Sequence, residues 1–160
     1  MDKQSLHQAL LMRLRADLEL LERAAHTARE AATHEESKAE NKYDTRGLEA
    51  SYLAAGQARR VEEIRQALNA CQNLPLRPFA AEPGIQLGAL VELEDEQGAN
   101  LTLWLMPDAA GVRLEWQGRD VLLISPRAPL GQSLLGKGVG DELTVRVGTR
   151  EQRYAVLSVC

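Results

Sequence analysis

Aromatic residues are nearly missing from this chain: one Phe, two Trp and three Tyr, or 4% of 160 residues. Any core must therefore be built mainly from aliphatic side chains. Proline does not occur before Pro75, so nothing in the first 74 residues interrupts a long helix. Cysteine is limited to Cys71 and Cys160; neither sits in a CxxC pair, and no metal-ligand spacing is present. That excludes a disulfide scaffold or a zinc ribbon and reads as two reduced thiols in a cytoplasmic protein, with the last residue, Cys160, expected to be mobile. His7, His26 and His34 are scattered along one helical pattern and read as residues without partners. No run of about 18 apolar residues exists, so no membrane span is expected. The N-terminal residues lack the basic-then-apolar signal pattern. Cationic charge is not in excess either: the net charge is −4, which speaks against free-standing binding to DNA.

What remains divides into two unlike halves. Residues 1–74 are rich in Ala, Leu, Glu, Gln and Arg. Residues 75–83 fall in the segment QNLPLRPFAAEP, which holds three prolines and reads as a linker. Residues 84–160 are dense in Gly, Val, Leu and Thr with short alternating runs.

In the first half, Leu6, Leu10, Leu14, Leu18, Leu21, Ala25, Ala28 and Ala32 recur at steps of three or four. They predict a helix from about Lys3 to Thr33. Leu48, Tyr52, Ala55, Ala58, Val61, Ile64, Leu68 and Cys71 predict a second, from about Thr45 to Ala70. Packed against each other they make an antiparallel coiled coil, with Leu14 and Leu18 facing Ile64 and Leu68, and Ala25 to Ala32 facing Leu48 to Ala55. At about 28 residues per arm the rod would be roughly 40 Å long. It would thin toward its tip as Leu gives way to Ala. That tip, residues 35–44, is a cluster of acids among lysines: Glu35, Glu36, Lys38, Glu40, Asn41, Lys42, Tyr43 and Asp44. Gly47 costs the second helix about 1 kcal/mol against Ala and suggests a late start or a bend. Arg46, with Lys38 and Lys42, is a candidate contact for a partner protein or RNA phosphate.

In the second half, Leu87, Ala89, Val91 and Leu93 alternate within Ile85–Glu94. Leu101, Leu103 and Leu105 alternate within Asn100–Met106. Val112–Trp116 and Asp120–Ile124 flank the turn signal Gln117-Gly118. A short helix is expected over Leu130–Leu135. Asp141–Val147 and Gln152–Val159 make a last hairpin. The fold class is therefore α+β: a long antiparallel helical hairpin followed by a small antiparallel sheet with one short helix. Gly136, Gly138 and Gly140 lack the Walker spacing and its Lys-Ser/Thr pair, so they read as loop glycines rather than a phosphate cradle.

The run from Ile124 to Glu142, ISPRAPLGQSLLGKGVGDE, resembles the C-terminal signature of the Gre family of bacterial transcription elongation (transcript-cleavage) factors. In that family a string of the type SPLG-ALLGK-VGDEV precedes the last hairpin; Arg127 and Ala128 look like an insertion within it. Glu40-Asn41-Lys42-Tyr43 resembles the family's EN-x-x-Y tip, one residue shorter. Arg60-Val61-Glu62-Glu63-Ile64 resembles its RI-x-x-L return helix. The resemblance covers nearly the whole chain. It implies an FKBP-like globular domain that docks on bacterial RNA polymerase at the rim of its secondary channel. The coiled coil would enter the channel, and the factor would act in trans rather than as an enzyme. On that resemblance Glu36 and Glu40 are the candidate tip acids that help hold a Mg²⁺ shared with polymerase near the RNA 3′ end, the factor having no cofactor of its own. Partner contacts are expected from Glu35, Lys38, Asn41, Lys42, Tyr43, Asp44 and Arg46, and from Ser125, Pro126 and Leu130 in the C-terminal string.

The departures matter. Where the family carries an Asp three residues before its Glu, this chain has Ser37, which cannot replace a carboxylate at a metal; Glu36 is the nearest substitute. Three readings stay open: a factor that occupies the channel without cleaving, a true cleavage factor using the tip acids, and an acidic loop with no catalytic role. Two further classes are weighed beside them. One is a coiled-coil adaptor that dimerises, against which a monomer would count. The other is a prolyl isomerase, which would need a pocket lined by Trp104, Trp116, Tyr154 or Phe79.

Overall fold

The computed structural model describes residues 2–33 and 45–160, the side chain of Arg46 excepted. Helix α1 spans Lys3–Thr33 and α2 spans Arg46–Gln72. Six strands and a short helix follow: β1 Leu90–Asp95, β2 Asn100–Leu105, β3 Arg113–Trp116, β4 Arg119–Ile124, α3 Pro129–Leu134, β5 Glu142–Val147 and β6 Arg150–Val159. The chain forms two units. One comprises Met1–Leu11 with Asn69–Cys160, the other Met12–Leu68. No helix among the described residues is long and apolar enough to cross a membrane.

In the first unit the strands lie in the order β3-β4-β2-β1-β6-β5. The pairings are antiparallel as the alternation predicts, except that β2 runs parallel to β4. The reason is local. The chain leaves β2 and builds β3 one place further out. It then turns back through Gln117 and Gly118, both at positive φ as a two-residue hairpin turn requires, and β4 fills the gap beside β2. The predicted strand over Ile85–Glu94 begins only at Leu90. Residues 86–89 form a turn closed by Ala89 N–H donating to Gln86 O at 3.0 Å, so Leu87 is exposed rather than inward-facing.

The core is aliphatic, as the shortage of aromatics dictates. Ile85, Ala89, Val91, Leu93, Leu103, Leu105, Leu134, Leu143, Val145 and Val156 are buried together, and Phe79 and Tyr154 lie at its margin. Trp104 stands between Leu103 and Leu105 on β2 and so projects from the opposite face. It is fully buried, its indole N–H donates to Gly88 O at 3.1 Å, and the His7 ring meets it edge-on at 6.3 Å. Leu6 and Leu10 are likewise wholly inaccessible. Helix α1 is started by Asp2, whose carboxylate accepts the Gln4 N–H at 3.0 Å and the Ser5 hydroxyl. The end of the chain is not loose: Cys160 and Leu90 exchange both backbone hydrogen bonds, at 2.9 and 3.0 Å, which corrects the expectation of a mobile last residue.

In the second unit α1 and α2 are joined by Arg65 donating to Glu22 at 2.9 Å. Leu14, Ala25, Ala28, Val61 and Ala67 are buried. The predicted inward face of α2 holds only from Val61 onward. Leu48 and Tyr52 are 54% and 69% exposed, and Ala55 and Ala58 are exposed too. Less accessible positions run through Gly47, Ala50, Ala54, Gln57, Val61, Ile64, Leu68 and, in the first unit, Cys71, with Gly56, Ala67 and, in the first unit, Ala70 flanking this row. The spacing of the main row alternates three and four, the heptad rule for a two-helix seam. The expected stripe of 48, 52, 55 and 58 steps by three too often and drifts off that seam.

Candidate functional site

The sequence places its candidate chemistry in two stretches. The first, comprising Glu35, Glu36, Lys38, Glu40, Asn41, Lys42, Tyr43 and Asp44, lies outside the described residues, as does the side chain of Arg46. His34 falls there as well.

The second stretch, Ser125 to Glu142, is built around α3. The Ser125 hydroxyl accepts the Arg127 N–H at 3.1 Å, and the Ser125 carbonyl accepts the Ala128 N–H at 3.1 Å. Pro129 occupies the first turn of α3, where a missing N–H costs nothing. Gly131 passes so close to the Ser125 carbonyl that a Cβ there would stand 2.0 Å from the oxygen, which explains glycine at this position. Leu134 is fully buried, and Leu130 packs on the core from its margin. Ser125, Pro126 and Leu130 are thus brought together at the start of one clamp, as half-buried residues with backbone duties.

The glycine loop beyond α3 is tied down in the same way. Gly136 N–H donates to Ile85 O, Lys137 N–H to Leu134 O, and Gly140 N–H to Val156 O. Gly138 N–H donates to the Asp141 carboxylate at 2.8 Å. With these donors turned inward the loop offers no ring of free N–H groups to an anion, in agreement with the rejection of a phosphate cradle. What it exposes instead is apolar: Leu135 at 44% and Val139 at 58%.

A third cluster is one that sequence reasoning misses. His7 is buried and hydrogen-bonded to Cys71 O at 2.7 Å, so the expectation that it lacks a partner is wrong. His26, also expected to be unpartnered, pairs with Glu30 at 3.1 Å one turn along the same helix. Because Cys71 O can only accept, the His7 Nε2 carries the proton in this contact. Lys3 donates to Arg77 O at 2.6 Å and to Gly88 O at 3.3 Å, and partial burial holds its ammonium below the usual lysine range. Burial, together with the Asp108 charge, pushes the Cys71 thiol up to about 11, which makes it a poor nucleophile and a poor metal ligand at neutral pH. The cluster is therefore a structural plug. The sequence signal for it was position 7 itself, which opens the spacing 7-10-14-17-21 on α1. Trp104, fully buried with its N–H taken, is unavailable to line a proline-binding pocket. Among the described residues no group of three or more His, Cys, Asp or Glu is placed to hold a metal ion.

Comparison with known proteins bears on the segment that contains the clamp. Residues 81–160 match the family described as transcription elongation factor, GreA/GreB, C-terminal part. The chain belongs to the GreA/GreB family. Its relatives carry two different names. The transcription elongation factor GreA of Halorhodospira halophila is 27% identical over 132 residues, covering 81% of this chain and 77% of the relative. The transcription inhibitor protein Gfh1 of Thermus aquaticus is 27% identical over 158 residues, covering 96% and 91%. Among solved structures, the Gfh1 protein of Thermus thermophilus is 24% identical, covers 94% of each chain and superposes with a TM-score of 0.39, too low to speak for a shared arrangement. The GreA/GreB match spans β1 to β6, α3 and the glycine loop; α1 and α2 lie before it.

Proposed function

We propose that this GreA/GreB-family chain is a cytoplasmic transcription factor that binds bacterial RNA polymerase at its secondary channel. There it brings the acidic segment 35–44 near the active centre and alters transcription without cutting RNA. The observation that carries the reading is the family match over residues 81–160. It coincides with the segment where Ser125, Gly131 and the glycine loop form a tightly bonded clamp. Ser125, Pro126 and Leu130 belong to the docking face on this reading, beside the exposed Leu135 and Val139. A non-cleaving role is favoured by Ser37. A serine hydroxyl is a weak ligand for a hard cation, and Mg²⁺ selects carboxylate oxygen. Glu36 and Glu40 are the carboxylates that would approach a Mg²⁺ held by polymerase, an ion that stabilises attacking and leaving oxygens when bound there. The factor would act in trans as a monomer, with no cofactor of its own.

The test is a stalled, backtracked polymerase complex incubated with the chain and Mg²⁺. The expected outcome is binding to core polymerase in the micromolar range or tighter, changed elongation, and no short 3′ fragment. Release of that fragment, lost in the Glu36→Ala, Glu40→Ala double variant, would establish the cleavage reading instead. Absence of binding would overturn both.

A further inference from the structure

We infer that the part of the Met12–Leu68 unit beyond Gln57 opens as a cooperative section of its own, with Gln57 marking its inner edge. The section comprises Ala25–Thr33 of α1 and Arg46–Gln57 of α2.

Three independent observations support this. First, the inward residues of the section are small: Ala25 and Ala28 on α1, and Gly47, Ala50 and Ala54 on α2. A buried methyl group removes far less apolar area from water than the Leu14 and Val61 side chains that close the seam on the other side of Gln57. Second, the large apolar groups of this stretch of α2 point the other way. Leu48, Tyr52 and Leu53 are 54%, 69% and 58% exposed, so they contribute little to holding the helices together. Third, the Gln57 side-chain oxygen is buried without a hydrogen-bond partner. A buried acceptor that could be solvated by opening penalises only the closed state. Gly56 beside it, with open space around its Cα, adds the backbone freedom at which a helix yields. Inward of Gln57, Leu14 and Val61 are buried with Ala67, and Arg65 bridges to Glu22.

A section with little buried apolar area and an unsatisfied acceptor at its boundary sits at the low end of the local stability scale. It adapts its backbone to a partner surface at small cost. The inference concerns the free chain and does not depend on what the protein binds.

Native-state hydrogen exchange on the full chain, read by peptide mass, tests it. Amides of residues 46–57 and 25–33 are expected to exchange together, at least about tenfold faster than those of 61–72 and 3–14. Gln57→Leu and, separately, Gln57→Ala remove the orphaned oxygen. Each is expected to slow exchange across 46–57 by roughly three- to tenfold while leaving 61–72 unchanged. Uniform protection along α2 would overturn the inference. So would two folded Gln57 variants whose 46–57 amides exchange as fast as before.

Discussion

The sheet and the helix pair solve the same problem, shielding aliphatic side chains with almost no aromatics, and reach different degrees of closure. In the sheet, ten side chains from four strands, α3 and the segment before β1 are buried in one cluster. Among the described residues of the Met12–Leu68 unit the buried set is Leu14, Ala25, Ala28, Val61 and Ala67, and larger side chains stand outside: Met12 is 69% exposed, Leu20 64% and Tyr52 69%. A sheet packed on two faces draws partners for each residue from several elements, whereas a helix in a pair has one stripe to bury. The consequence is that apolar substitutions should be severe throughout the buried cluster of the sheet, but in the helix pair should depend on position within the heptad.

The largest effect is expected from Trp104→Ala. It empties a fully buried site, leaves Gly88 O without the indole donor, and removes the ring against which His7 packs. A loss of about 3–5 kcal/mol is expected in chemical denaturation followed by circular dichroism. A loss below about 1 kcal/mol would mean that Trp104 is not the keystone of its layer.

An intermediate effect should separate the two faces of α2. Val61→Ala removes two methyl groups from a site 6% exposed and should cost about 2 kcal/mol. Tyr52→Ala, at a site 69% exposed, should change stability by less than about 0.5 kcal/mol, although it deletes a far larger side chain. Thermal melts of the two variants check the order; if Tyr52→Ala proved the more damaging, the seam through Gly47, Ala50, Ala54 and Gln57 would be wrong.

That pair of substitutions also marks where the sequence was readable. Strand positions were legible because period-two alternation and turn residues coincide: β2 was expected over Asn100–Met106 and spans Asn100–Leu105. Helix ends were legible within a residue or two from the run of apolar spacing: the helices expected over about Lys3 to Thr33 and Thr45 to Ala70 span Lys3–Thr33 and Arg46–Gln72. The inward face of α2 was not. Ranking positions by apolar size selects Leu48 and Tyr52, but it is the small residues Gly47, Ala50 and Ala54 that are less accessible, while the large groups stand in water. His7 escaped for the converse reason, since a polar ring on an apolar stripe gains its partner, the Cys71 carbonyl, only through folding. Of the candidate site, the string Ser125–Glu142 was legible as a signature, yet its physical content became visible only in the hydrogen bonds that fold the glycine loop inward.

The smallest effect should come from the ion pair between Arg65 and Glu22 that bridges the two helices. Arg65 donates to Glu22 at 2.9 Å, and both side chains remain about half exposed, at 55% and 45%. At that exposure water screens the charges, and ordering two long side chains offsets much of the attraction. Arg65 also lies 4.0 Å from Glu62 on its own helix, so removing it loosens a second, weaker contact. Arg65→Ala is expected to lower stability by at most about 0.5 kcal/mol, and the same substitution in about 1 M salt should have a still smaller effect, because the pair is already screened there. A salt-independent loss above about 1 kcal/mol would show that the guanidinium stem, rather than the charge, covers the seam between Val61 and Leu68. The helix pair would then be less sharply divided into an inner face and a solvated one than the exposures of Val61 and Tyr52 imply.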